Sequence, residues 1–217
     1  MKVKWLGHAC FLLSDDAGTR IMTDPYAPGA FGLNYAPPAE EADIVTVSHE
    51  HQDHNNVAAV KGNPEVVRGA GVYKAKGIDI KGVPTSHDQS SGAERGSNTV
   101  FCFSLDGVRV CHLGDLGHEL SDKTVAEIGP VDVVLVPIGG NFTIDSATAN
   151  RVVDQIQPKI AIPMHFRTEH ASDFPVSNSE AFQKMRQRVR VLNVSELDVK
   201  KEALPAETET IVLKPAL

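Results

Sequence analysis

The stretch Ile44–His54 constrains this chain more than any other: a β-branched run, Ile-Val-Thr-Val, followed by Ser-His-Glu-His-Gln-Asp-His. Such a run reads as a buried strand, and buried strands hand over to loops, where chemistry sits. His49, His51, Asp53 and His54 fall within six positions. In a merely solvated loop, partly charged imidazoles packed that closely would repel one another. Imidazole nitrogens and carboxylate oxygens are what zinc, manganese or iron accept. His49 and His51 alternate, so both can reach one centre. Asp53 and His54, one turn further on, point elsewhere and are placed to hold a second ion.

Residues of the same kind recur wherever an apolar run stops. Strand-like segments over 2–13 and 20–23 flank the turn residues 14–18, and the second ends at Thr23-Asp24-Pro25. The proline fixes that aspartate either to support a neighbouring loop through hydrogen bonds or simply to form the turn. Short strands follow over 66–68 and 78–83, the latter running out at His87. A hairpin, 99–105 and 108–113, turns at Asp106-Gly107 and leaves through Leu113-Gly114-Asp115. The apolar run 131–138 fits a strand buried on both faces and ends in Gly139-Gly140-Asn141. Lys159–Pro163 leads straight into Met164-His165-Phe166-Arg167. One arrangement accounts for all of these: strands of a shared core converge on one edge, and the loops there build a single site.

Other groups are expected around that site. His8 follows Gly7 at a strand end, and His112 precedes the Asp115 loop. Asn141 is placed to donate to substrate, and Arg167 either to bind a phosphate or carboxylate or to form a surface ion pair. His118 and His170 are expected at the surface or the rim. Residues 25–40, with Pro25, Pro28, Pro37 and Pro38 among Tyr26, Phe31 and Tyr35, form a long irregular loop of the kind that serves as a lid or binding wall. Helices are expected over 56–60, over 121–128, from Asp145 or Ser146 to 156, and from the capping sequence 177–180 with Phe182, Met185 and Val189 inward. Strands near 189–194 and 209–213 finish the chain. No repeat or linker interrupts it, so residues 1–217 are expected to form a single domain.

Composition narrows the function classes. The formal net charge is −7 and no Lys/Arg run exists, which disfavours a general nucleic-acid role. A small-molecule substrate, anionic ones included, stays compatible. No apolar stretch approaches the length of a membrane span, and none reads as a signal segment. The three cysteines lack metal-binding spacing and lie in apolar segments, which points to buried thiols in a reducing, cytoplasmic setting.

Taken together, Asp24 in Thr-Asp-Pro, the His49-x-His51-x-Asp53-His54 signature, His87, Asp115 in Leu-Gly-Asp and His165 in Pro-Met-His-Phe resemble a metallo-β-lactamase-superfamily hydrolase along essentially the whole chain. The resemblance implies a four-layer αββα sandwich, an α/β (α+β) fold. It implies His49, His51 and His87 on a first metal, Asp53, His54 and His165 on a second, and Asp115 bridging them. The opening Trp-Leu-Gly-His-Ala and the segment Pro-Ile-Gly-Gly-Asn-Phe-Thr-Ile-Asp resemble a branch of metal-dependent hydrolases near the L-ascorbate-6-phosphate lactonases.

The implied reaction is hydrolysis of an ester-like bond, a lactone or phosphodiester, by a metal-activated hydroxide. Two divalent cations roughly 3.5–4 Å apart bring the pKa of a shared water to near 7 and polarise the scissile bond. Asp53 and Asp115 would be the carboxylates at the reacting centre. Zinc is the first expectation, with manganese or iron compatible with the same ligands. Asp115 stands where exported zinc β-lactamases bring a cysteine to the metal, which argues against antibiotic hydrolysis. His51 stands where diiron redox members carry glutamate, which favours hydrolysis. Two other readings stay open: a phosphodiesterase or nuclease acting on nucleotides, and a metal-binding or sensing protein without turnover. The oligomeric state is open too, a homo-oligomer included.

Overall fold

A computed structural model describes residues 1–217. The chain runs β1 (Lys2–Gly7), β2 (Cys10–Ser14), β3 (Arg20–Thr23), β4 (Ile44–Val47), β5 (Glu65–Arg68), β6 (Gly71–Ala75) and β7 (Ile78–Ser86). It continues through β8 (Ser97–Leu105), β9 (Val108–His112), α1 (Asp122–Ile128), β10 (Val133–Pro137), α2 (Ser146–Ile156), β11 (Ile160–Met164) and α3 (Glu180–Met185). The strands β12 (Val189–Val191), β13 (Glu196–Asp198) and β14 (Glu209–Val212) close it.

These strands make two sheets, a six-stranded one in the order β13-β1-β2-β3-β4-β5 and an eight-stranded one in the order β12-β14-β11-β10-β9-β8-β7-β6. Alternation along the strands explains why they face each other. On β3 and β4, Ile21 and Ile44 join the large core between the sheets, beside Trp5 and Phe11. Their neighbours Met22 and Val45 turn outward into a second cluster with Leu6, Tyr26, Tyr35 and Phe174. The helices α1 and α2 pack on the eight-stranded sheet, and α3 packs on α2. The sandwich is therefore the one the resemblance implied, with one refinement. The outer layer on the six-stranded sheet is irregular chain from 25–42 and 171–176, not α-helix.

Strand direction decides where the site can be. β3, β4 and β5 are parallel, and β1, separated from β3 by the antiparallel β2, runs the same way. In the other sheet β9, β10 and β11 are parallel, and β7 joins them across the antiparallel β8. The carboxyl ends of β1, β3, β4, β7, β9 and β11 deliver His8, Asp24, His49, His87, Asp115 and His165. Loops at those ends are where ligands bind in α/β sheets.

Several local expectations change. Residues 2–13 are two strands, because the chain reverses at His8-Ala9, with Gly7 at φ +141° and His8 at φ +51°. Every residue from Trp5 to Phe11 is buried, so the apolar pattern carries no mark of the turn. The sequence 57–59 forms a 3-10 turn, not an α-helix. The capping sequence at 177–180 opens only a short helix: the Ser179 side chain makes no cap bond, Met185 is exposed, and Val189 begins β12. β6 and β13 leave no mark in the sequence pattern, since most of their residues face solvent and carry no apolar alternation. The helices at 122–128 and 146–156 start as expected, with Ser121 and Asp145 accepting from Thr124 N and Thr148 N.

Asp132, ahead of β10, ties three elements together. Its buried carboxylate accepts from Arg109 N at 2.8 Å, from the Arg109 guanidinium at 3.1 Å and from Lys201 Nζ at 2.6 Å. Burial alone would raise its pKa, but the hydrogen bonds from Arg109 and Lys201 outweigh that and hold it well below the usual carboxylate range. Its folded value being depressed, its contribution is complete above the unfolded carboxyl pKa of about 4 and is lost as pH falls below that. Asp132→Asn is expected to cost about 2 kcal/mol at pH 7 and distinctly less at pH 3, read from urea unfolding at both values. An equal cost at the two pH values would refute the charge-based account.

Candidate metal centre

The His-rich loop leaves β4 and packs its imidazoles inward. His49 Nε2 lies 3.1 Å from His51 Nδ1, and these two form one group with His87. A second group is His8, Asp53, His54 and His165, in which His8 Nε2 is 3.1 Å from Asp53 Oδ2 and 3.2 Å from His54 Nε2. Asp115 lies between the groups. Its Oδ2 is 3.2 Å from His87 Nε2, 3.3 Å from His54 Nε2, 3.3 Å from His165 Nε2 and 3.8 Å from His49 Nε2. All seven residues implied as ligands are thus within one cluster, and His8 joins them as an eighth.

Tautomers follow from the hydrogen-bond partners. Asp24 accepts from Ser48 N at 2.8 Å, from Ser48 Oγ at 2.5 Å and from His54 Nδ1 at 2.8 Å. Ser48 Oγ, donating to Asp24, accepts from His49 Nδ1 at 2.9 Å. Both imidazoles therefore carry a proton on Nδ1 and turn Nε2 into the cluster. Burial pushes His49 down to about 3. Burial, reinforced by His165, pushes His8 down to about 4. Both are neutral at pH 7, which is the form that binds a metal.

Whether these residues suit divalent cations can be tested on the cluster itself. Asp24, Asp53 and Asp115 are buried, and their close charge partners are histidines, with no lysine or arginine among them. Burial opposes charge on His54, yet Asp115 and then Asp53 raise its pKa well above the usual range, a sign of unbalanced negative charge. Asp53 Oδ1, Asp115 Oδ1 and His165 Nε2 are buried without a hydrogen-bond partner. Unsatisfied buried acceptors of that kind are costly unless an ion occupies the space between them. The donor set, imidazole nitrogen plus carboxylate oxygen, fits.

The remaining expected groups divide. His112 donates from Nε2 to Ala9 O at 2.9 Å and so braces the turn that carries His8. His118 is structural: Nδ1 bonds Glu119 O at 2.7 Å, leaving Nε2 to accept from Ser86 N at 3.2 Å. His170 is partly exposed and stacks on Tyr35. Asn141 and Arg167 are exposed and do not line the pocket over the cluster. That pocket, about 270 Å³, is bounded by His51, Asp53, His87, Asp115, Phe31, Phe142, Phe174 and Arg95. In the 25–40 loop Tyr26 and Tyr35 are buried anchors, and only Phe31 reaches the pocket.

Sequence reasoning missed Arg95, Phe142, Phe174, Ser48 and Asn98. Asn98 Oδ1 accepts from Asp115 N at 2.9 Å while its amide donates to Leu113 O at 2.9 Å, clamping the loop that presents Asp115. Ser48 is adjacent to the signature and was open to discovery as its support; the others carry no local signal.

Two facing sheets with a His/Asp cluster at their carboxyl edge define a metal-dependent hydrolase architecture, and the comparisons give it a family. The family model described as "Beta-lactamase superfamily domain" matches residues 2–165. A metal-dependent hydrolase of Carboxydothermus hydrogenoformans is 34% identical over 194 residues, covering 77% of this chain and 85% of the relative. A Thermotoga maritima structure, assigned to the metallo-β-lactamase superfamily as a candidate zinc-dependent hydrolase, is 38% identical with a TM-score of 0.81, covering 98% of this chain and 97% of that one. A metallo hydrolase from Ignicoccus hospitalis shares the fold at 22% identity and a TM-score of 0.65, covering 92% of this chain and 99% of that one. The chain belongs to the metallo-β-lactamase superfamily and is an enzyme of its hydrolase class.

Proposed function

We propose that the chain is a dinuclear metal-dependent hydrolase that cleaves an ester-like bond, a lactone or phosphodiester, in a small metabolite. The observation that carries this is the position of Asp115 Oδ2, within 3.2–3.8 Å of imidazoles drawn from both groups. His49, His51 and His87 would hold one ion, Asp53, His54, His165 and His8 the other, and Asp115 both. When bound, divalent cations supply Lewis acidity, which lowers the pKa of water and withdraws charge from the scissile group. The chain's own residues do the rest. Asp24 and Ser48 fix His54 and His49 in the tautomer that presents Nε2. Asp53 lines the pocket, where, besides helping to hold an ion, it would orient the attacking water and accept its proton. Phe142, Phe174 and Phe31 keep bulk water from the reacting centre.

A small substrate is favoured over nucleic acid because the pocket offers one cation, Arg95, where a phosphate backbone needs a basic track. The test is a panel of lactones, phosphodiesters, thioesters and β-lactams on protein reconstituted with zinc, manganese or iron. Turnover of a lactone or phosphodiester, lost on chelation and restored by one of these metals, is expected. Full turnover by demetallated protein would defeat the reading.

His8 gives a separate expectation. With His8 replaced by Ala, the second ion is expected to bind about 10–100-fold more weakly while the first is retained. Metal content after dialysis against graded chelator checks this, and two ions held with unchanged affinity would remove His8 from the set.

A further inference from the structure

The pocket over the cluster is chemically two-sided. Its floor is His51, Asp53, His87 and Asp115; its walls are Phe31, Phe142, Phe174 and Arg95. Phe142 and Phe174 stack with centroids 5.4 Å apart, and Phe174 sets its edge against His165 and His8, each at 5.4 Å. The apolar wall is thus built onto the residues of the centre. Phe31 stands at the mouth, 60% exposed, on a backbone at φ +49° between Gly29 and Gly32. A large apolar ring held out in that strained conformation gives nothing to the core and offers surface to a ligand.

Arg95 is the single cation of the lining, and the fold makes little use of its charge. Its nearest acid is Glu94 Oε2 at 3.8 Å, and that side chain is 62% exposed. By contrast Arg109 is bound closely to Asp132. The Arg95 guanidinium lies 6.0 Å from the Phe142 ring centre, which holds it against the apolar wall. Its backbone is fixed with unusual care. The buried carboxylate of Asp88, next to His87, accepts from Ser90 N, Gly92 N, Glu94 N and Arg95 N at 2.8–3.0 Å. One carboxylate thereby ties the 88–95 loop, and the cation it carries, to the residue that lines the floor.

We infer that this pocket selects an ester whose body is apolar, seated among Phe31, Phe142 and Phe174, and which carries a carboxylate or phosphate remote from the scissile bond, paired with Arg95. The inference rests on the hydrolytic reading above and deepens it.

The test uses two metal-directed probes that differ only at the far end: octanohydroxamate, and the monohydroxamate of suberic acid, which ends in a carboxylate. Calorimetric titration of the metal-loaded protein is expected to favour the carboxylate-tailed probe by about tenfold, and Arg95→Met to abolish that preference while the protein keeps its melting temperature. Phe31→Ala, at an exposed position, is expected to weaken both probes several-fold. A preference unchanged in Arg95→Met, or failure of wild type to bind either probe, overturns the inference; unchanged affinities in Phe31→Ala overturn its apolar half. Because binding is read without turnover, a panel in which nothing is hydrolysed would sink the hydrolase reading and leave this result standing on its own.

Discussion

Asp115→Asn is expected to lower kcat/KM by at least ~10³-fold, about 4 kcal/mol of transition-state stabilisation, in a protein that still folds. The substitution is nearly isosteric, and the backbone N–H of residue 115 keeps its bond to Asn98 Oδ1. What changes is charge at a single buried oxygen facing imidazoles of both groups. An amide there is a weaker ligand, and its NH2 can face the lone pairs of His87 or His165. The expected accompaniment is a loss of bound metal, measured by elemental analysis. Melting of the metal-loaded wild type should in turn fall on chelation: a ligand present at 1,000 times its Kd stabilises the folded state by about 4 kcal/mol. A folded Asp115→Asn protein that retained two ions and wild-type kcat/KM would show that the carboxylate is not shared between the groups.

The parts of this centre that the sequence exposed are those whose chemistry is confined to a few adjacent residues. His49, His51, Asp53 and His54 announce themselves because no other use accounts for them. His87, Asp115 and His165 were legible because each follows an apolar run, and parallel strand direction brings such ends to one edge. Asp24 was legible as a support through its Thr-Asp-Pro setting, and it does hold Ser48 and His54. His8 was assigned only a neighbouring role. Its approach to Asp53 depends on the reversal at His8-Ala9, in a segment buried throughout, where hydrophobic alternation is silent. The pocket wall was less legible still. Arg95 and Phe174 lie in polar or proline-containing loops and come to one pocket only through tertiary packing, whereas Arg167, two residues past His165, is exposed and does not line the pocket. Nearness along the chain found the residues of the cluster and not those of the pocket wall, because the former sit at strand ends and the latter wherever a loop happens to return.

The two glycines that bracket Asp115 in Leu113-Gly114-Asp115-Leu116-Gly117 have a role beyond turn formation, and substituting either is expected to be among the most destabilising single changes in the chain. A Cβ on Gly117 would lie 2.3 Å from Asp88 N and 2.3 Å from His87 C, both backbone atoms that cannot swing aside. A Cβ on Gly114 would lie 2.4 Å from Asn98 Oδ1 and 2.5 Å from Ser48 Cβ, at a backbone φ of +56°. The loop carrying Asp115 is thus pressed against His87 on one side and against the supports of His49 and Asp115 itself on the other. Gly117→Ala and Gly114→Ala are each expected to cost about 3 kcal/mol, a fall in melting temperature of roughly 6–12 °C for a chain of this size. Gly107→Ala isolates the backbone term: φ is +73° there and nothing lies within 4 Å of the added carbon, so about 1 kcal/mol is expected. Close approach also predicts a consequence that backbone strain does not. In Gly117→Ala the His87 backbone must move, so metal affinity should fall together with stability, whereas Gly107→Ala should leave affinity untouched. Equal melting temperatures and equal metal affinities for those two variants would mean that the contact between the Asp115 and His87 loops does not hold the centre in register.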